Sequence, residues 1–155
     1  ASATIAQAQV DWGTVDMTTL YRRYVAALVH FHLAAAHVAN LGPTDYQAGS
    51  LLDSEGPLTT GDLGRLLRLS PSATTRVVDR LIAAGIAERV PDSGDRRRII
   101  VRHTGALPAE LTALLQDVRA PIASAVADLS EEQRAGLATY FRAATETYLR
   151  AADRV

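Results

Sequence analysis

Apolar residues recur every three or four positions from Asp16 to about Asn40, at Leu20, Tyr24, Leu28, Phe31, Ala35 and Val38, which is the spacing of one face of an α-helix. Asp16 suits the N-cap and Leu41-Gly42 the stop, predicting a first helix of about 24 residues, long enough to reach beyond a small lobe. A second helix starts at Pro43, where the missing N–H of proline costs nothing, and runs to about Glu55 before Gly56-Pro57 ends it. Residues 1–15 are small and polar with one tryptophan and no firm period, and read as an arm. After Thr104 the helical period returns at Leu111, Leu114, Leu115, Val118, Ile122, Val126 and Leu129, with a kink expected at Pro121. Ser130-Glu131-Glu132-Gln133 is a capping box for a last helix to about Ala152, striped by Leu137, Tyr140, Phe141, Ala144, Tyr148 and Leu149.

The middle of the chain is patterned differently. Leu58 suits a minimal strand, and Thr59 with Asp62 caps a short third helix to Leu67. Ser70 caps a fourth helix with Pro71 in its first turn; Val77, Val78, Leu81 and Ile82 form its inward face, and Gly85 is its expected left-handed terminus. Two short β-type runs follow, Ile86 to Val90 and Ile99 to Arg102, joined through Asp92-Ser93-Gly94-Asp95-Arg96-Arg97-Arg98, hence a hairpin. Two short helices and a charged hairpin in this order predict a winged helix-turn-helix, whose second helix enters the DNA major groove. The fold class is therefore mainly α with a small β-hairpin wing (α+β), the lobe flanked by N- and C-terminal helices.

Charge sharpens this picture. The net charge of −1 over 155 residues does not suggest a nucleic-acid binder until it is resolved along the chain. Residues 58–104 hold nine arginines against five acids, an excess of +4, and the remainder carries −5. Such segregation suits a local phosphate-binding surface on an otherwise acidic protein. All basic residues are arginine, which carries no functional weight here. The absence of cysteine excludes disulfides, thiolate metal sites and cysteine redox sensing. No apolar run approaches the roughly 18 residues of a membrane span, and the first residues lack a basic n-region, so a cytoplasmic protein without membrane association is expected. No nucleophile–base set, phosphate loop or metal spacing is visible, so no enzyme and no cofactor are expected. His30 and His32 point to different helix faces, and His30 and His37 are two turns, ~10 Å, apart; no metal is expected. A winged lobe that binds only a protein partner, without DNA, remains the alternative.

Several motifs resemble the MarR (multiple antibiotic resistance) family of bacterial transcription regulators. They are the Leu69-Ser70-x-Ser72 turn, the Thr75-Arg76-Val77-Val78-Asp79-Arg80-Leu81 helix, Gly85-Ile86-x-Glu88-Arg89, and the wing Asp92-x-x-Asp95-Arg96-Arg97 leading to Val101-Arg102-x-Thr104. The resemblance is close over roughly residues 41–104 and extends to the flanking helices by pattern. It implies one domain over residues 1–155, with 1–40 and 105–155 as dimerisation helices and 41–104 as the DNA-binding lobe. It also implies a homodimer on a pseudo-palindromic operator, usually a repressor released by a small aromatic or phenolic ligand. Two departures bear on the wing-to-helix junction: His103 stands where Leu is usual, and Leu107 where a Gly is common.

Thr75 and Arg76 match family positions that face bases, and arginine can donate two bonds to guanine O6 and N7. Ser70, Ser72 and Thr74 sit at the positive end of the fourth helix and suit phosphate. Arg80 is divided between a phosphate contact and an internal pair with an acid. At the wing, Arg96, Arg97 and Arg98 behind Asp95 could reach phosphates or a narrow minor groove; the resemblance favours Arg97 with Asp95 orienting it, and backbone contacts for Arg96 and Arg98. A solvated charge run is the plain alternative. For the effector the resemblance implies a pocket where the first, second and fifth helices meet the lobe. Trp12, Tyr24, His30, Phe31, Tyr46 and Arg89 form an aromatic-plus-cation set suited to an aromatic anion, with core or dimer packing as the alternative for the apolar members. A urate-responsive subgroup is similar at Trp12, Arg76 and Arg89, but its acid corresponds here to Gln47.

Overall fold

The computed structural model describes residues 16–155; Trp12 lies outside the described residues. Helix α1 (Met17–Val38) starts on Asp16, whose carboxylate accepts the Thr19 N–H at 3.0 Å, and that hydrogen bonding holds the Asp16 carboxyl below its ordinary range. The helix ends at Val38, before the expected Leu41-Gly42 stop. Asn40 takes the left-handed conformation (φ 54°), which its short polar side chain tolerates, and its N–H reaches His37 O at 2.9 Å while Leu41 N–H reaches Ala36 O at 2.9 Å. These two bonds form a Schellman closure.

Helix α2 (Pro43–Glu55) opens on its proline and ends at Gly56. Helix α3 (Thr60–Leu67) is capped by Thr59 Oγ1, which accepts the Asp62 N–H at 3.1 Å. Helix α4 (Pro71–Ala83) is capped by Ser70 and closed at Gly85 (φ 74°), with Ile86 N–H donating to Leu81 O at 3.0 Å. Strands β1 (Ala87–Pro91) and β2 (Ile99–His103) pair antiparallel, Ala87 opposite His103 and Pro91 opposite Ile99. Leu58 adds a bridge to Val101, so the expected minimal strand is present.

The core of this part is assembled from all of these elements. Leu52 of α2, Leu63 of α3, Val77, Val78 and Leu81 of α4, Ile86, and Val101 of β2 are buried together, with Leu41, Leu58, Leu69 and Leu107 packed around them. Each fully buried Leu or Val stabilises the lobe by about 1.5–3 kcal/mol relative to exposure. Helices α3 and α4 approach unusually closely at Gly64, where a Cβ would stand 2.7 Å from Thr74 Oγ1. At the end of the wing, Thr104 Oγ1 donates to Gly85 O at 2.7 Å, Gly105 (φ 81°) turns the chain, and its N–H donates to His103 Nδ1 at 2.9 Å. The two departures are thereby accommodated: His103 braces the turn, Gly105 supplies the left-handed residue, and Leu107 joins the core.

The described chain forms two compact units, one through Pro108 and one from Ala109. The second contains α5 (Ala109–Ala127), which continues through Pro121, and α6 (Glu131–Ala152). The capping box of α6 has both bonds: Gln133 N–H to Ser130 Oγ at 3.1 Å and Ser130 N–H to Gln133 Oε1 at 2.8 Å. No residue of α6 is buried, and Tyr140, Phe141, Tyr148 and Leu149 are exposed. Among the described residues no single helix is long and apolar enough to cross a membrane.

Candidate nucleic-acid interface

Helix α4 is two-faced because its inward residues recur at helical spacing: Thr74, Val77, Val78 and Leu81 are buried, whereas Ser72, Thr75, Arg76 and Asp79 are exposed. At its N-terminus Ser70 Oγ accepts the Ala73 N–H at 3.3 Å and lies 3.3 Å from Ser72 Oγ. Ser70 and Ser72 therefore stand in the open at the positive end of the helix, where an anion is favoured. Thr75 is exposed, its hydroxyl donating to Pro71 O at 3.0 Å, which leaves the hydroxyl oxygen able to accept. Arg76 follows on the same surface.

Thr74 departs from the sequence reading. It is fully buried and its hydroxyl donates to Ser70 O at 2.9 Å, so it holds α4 against Gly64 of α3 instead of meeting phosphate. Arg80, divided by the sequence between two roles, takes the internal pair. Its Nε and Nη2 donate to Asp45 Oδ2 and Oδ1 at 2.7 and 2.8 Å, and Asp45 is only 4% exposed. An ionised carboxylate taken out of water requires such a partner, and Arg80 supplies it. The hydrogen bonds to Asp45 raise the pKa of the Arg80 guanidinium further.

At the wing, Asp92 N–H donates to Arg98 O at 2.8 Å and Arg98 N–H to Asp95 O at 2.9 Å, closing the tip. Asp95 Oδ1 accepts the backbone N–H of Arg97 at 3.0 Å, so Asp95 orients the chain at Arg97 rather than its guanidinium. Arg98 pairs with Asp62 of α3 at 3.6 Å, and Asp62 also pairs with Arg65. Arg102 pairs with Glu88 directly across the hairpin at 2.7 Å. Arg89, an effector candidate from the sequence, is bound to Asp79 of α4 at 2.7 Å, where it ties β1 to the exposed side of the helix. Among the described residues Arg76, Arg96 and Arg97 have no acidic partner. These are the cations of the α4 surface and the wing tip.

Of the remaining effector candidates, Phe31 and Tyr46 meet around His32. The Phe31 and His32 rings lie 5.5 Å apart edge to face, the His32 and Tyr46 rings 5.6 Å apart, and His32 Nδ1 is 3.3 Å from Tyr46 Oη. Tyr24 and His30 are exposed on α1. Sequence reasoning missed Asp45, Asp62 and His32. Asp45 alone carried a local signal: it shares the stripe of Ala48, Gly49 and Leu52, and an acid on an apolar stripe calls for a cation.

The family model described as MarR family matches residues 40–98, the segment that forms α2 to the wing tip. The HTH-type transcriptional regulator YcgE of Bacillus subtilis (strain 168) is 36% identical over 116 residues, covering 73% of this chain and 71% of that protein. The chain belongs to the MarR family. MarR-family proteins are transcriptional regulators with a DNA-binding winged helix, and two solved structures accord with the fold. RV1404 from Mycobacterium tuberculosis has a TM-score of 0.55 at 27% identity, over 90% of this chain and 97% of that one. A MarR family protein from Bacillus stearothermophilus has a TM-score of 0.59 at 22% identity, over 85% and 92%. The two-stranded wing and the capped α3–α4 pair are thus this chain's version of the MarR lobe.

Proposed function

We propose that this protein is a homodimeric, sequence-specific DNA-binding transcription regulator, a repressor released by a small aromatic ligand and acting in the cytoplasm. Residues 1–155 form one MarR-like domain in which 1–40 and 105–155 carry dimerisation and 41–104 the lobe. The observation that carries the reading is the distribution of uncommitted charge: Arg76 on the open face of α4 and Arg96 and Arg97 at the wing tip lack acidic partners among the described residues, while Arg80, Arg89, Arg98 and Arg102 are paired with acids. Helix α4 enters the major groove, with Thr75 and Arg76 toward base edges and Ser70 and Ser72 toward phosphate. The wing follows the adjacent minor groove with Arg96 and Arg97. Two such lobes read an inverted repeat with half-sites about one turn, ~34 Å, apart.

Dimerisation is supported by the apolar residues that α1 and α6 leave exposed, Leu20, Tyr24 and Leu28 on the first and Tyr140, Phe141 and Tyr148 on the last, since faces of this size on a soluble chain are commonly covered. The effector reading is supported by the Phe31–His32–Tyr46 ring cluster. Asp45, the residue before Tyr46, holds Arg80 of the recognition helix, so a ligand that repositions this part of α2 favours a conformation whose lobes no longer fit the DNA.

The test separates base readout from phosphate contact. Arg76→Ala is expected to lower affinity for a selected duplex by ~1–3 kcal/mol and to relax the preference at one position per half-site. Arg96→Ala should weaken all duplexes alike and flatten the salt dependence by about one unit of slope. Equal losses on selected and random duplex from both changes would contradict this division, and no binding to any duplex would favour a protein partner instead.

A further inference from the structure

Asp62 faces two arginines. Its backbone N–H is taken by the Thr59 cap, while its side chain, 31% exposed, pairs through Oδ1 with Arg65 and through Oδ2 with Arg98 at 3.6 Å. The two acids of the wing tip are engaged with the backbone of the turn: Asp92 Oδ1 accepts the Gly94 N–H at 3.2 Å and Asp95 Oδ1 the Arg97 N–H at 3.0 Å. Of three consecutive arginines at the tip, the structure thus neutralises one, Arg98, with an acid reached across from α3. It leaves Arg96 and Arg97 without an acidic partner among the described residues.

Exposed pairs of this kind add little to stability, so the consequence lies in charge. Phosphate contacts are sequence-independent, and each one strengthens binding to every duplex. A cation kept on an acid competes less well for phosphate. We propose that Asp62 is a specificity-determining positioning residue: by holding Arg98 and Arg65, it withholds two cations from indiscriminate phosphate binding and ties the wing to α3. This inference rests on the DNA-binding reading above. It assigns to an acidic residue beside the interface the role of limiting non-specific affinity.

Asp62→Asn removes the charge while keeping the side-chain shape and the Thr59 cap. Binding is read by fluorescence anisotropy on a random-sequence 24-base-pair duplex and on the sequence that the wild-type protein enriches from a random pool, each across a salt series. The variant is expected to bind random duplex about three- to tenfold more tightly at fixed salt, to steepen the salt slope by about one to two units, and to bind the enriched sequence with a smaller gain. The ratio between the two duplexes then falls. Adding Arg98→Ala to Asp62→Asn should remove about half of the slope gain. An unchanged slope and ratio in Asp62→Asn, or a slope gain that survives intact in the double variant, would overturn the proposal.

A second measurement does not depend on that variant folding. In the otherwise wild-type protein Arg98→Ala should change the random-duplex slope much less than Arg96→Ala, and equal reductions would also overturn it. Absence of any duplex binding by the wild-type protein would instead remove the DNA-binding reading, whereas binding with an indifferent Asp62→Asn would remove only this inference.

Discussion

The winged lobe and helix α6 draw on the same kinds of apolar residue and end in opposite states. In the lobe Leu52, Leu63, Leu81 and Val101 are at most 1% exposed, whereas α6 buries nothing and leaves Tyr148 58% exposed. Both have sound local signals, since α4 and α6 each begin on a serine cap. A cap starts a helix and a stripe gives it a face, but burial requires a second surface. The lobe finds that surface within its own sequence, through the hairpin folding back on α2 and α4. We take α6 to find it in a second copy of the chain.

Substitutions sharpen this contrast. Leu81→Ala should have the largest effect, about 2–5 kcal/mol lost in denaturant unfolding, because its site is closed on all sides and a cavity remains. Gly64→Ala comes next: the added Cβ meets the hydroxyl of buried Thr74, and moving α3 off α4 should cost about 1–3 kcal/mol. Tyr148→Ala should be smallest, within about 0.5 kcal/mol at dilutions where the chain is monomeric, while visibly weakening self-association in sedimentation. A loss from Tyr148→Ala as large as that from Leu81→Ala, in dilute monomer, would dissolve the comparison.

The sequence is most informative where one segment decides its own shape. The Asp16, Thr59, Ser70 and Ser130 caps, the left-handed Gly85 and the strand pair with its arginine-rich tip all follow from neighbours a few residues apart, and all are present. Positions that depend on a distant partner were less legible. Arg80 is 35 residues from Asp45, and only the burial of that acid decides between phosphate and an internal pair. Thr74 carries a polar label, yet it stands one turn before Val77 and Val78 on the inward stripe, and its hydroxyl can be satisfied by Ser70 O inside the turn. The Arg89–Asp79 and Arg98–Asp62 pairs join exposed side chains from different elements, and their register is set by the packing of the hairpin.

The same contrast exists among the arginines. Within the lobe, Arg80, Arg89, Arg98 and Arg102 are tied to acids, and Arg76, Arg96 and Arg97, without acidic partners among the described residues, lie on the surface proposed to meet DNA. That surface is expected to read sequence in two copies. Enrichment of a random duplex pool by the wild-type protein at about 0.1 M salt tests this most directly. The expected result is an inverted repeat whose half-sites lie one helical turn apart, ~34 Å, and whose selected form binds at least ~10³-fold more tightly than random duplex. A pool that emerges with no sequence preference, bound no more tightly than the input, would contradict it.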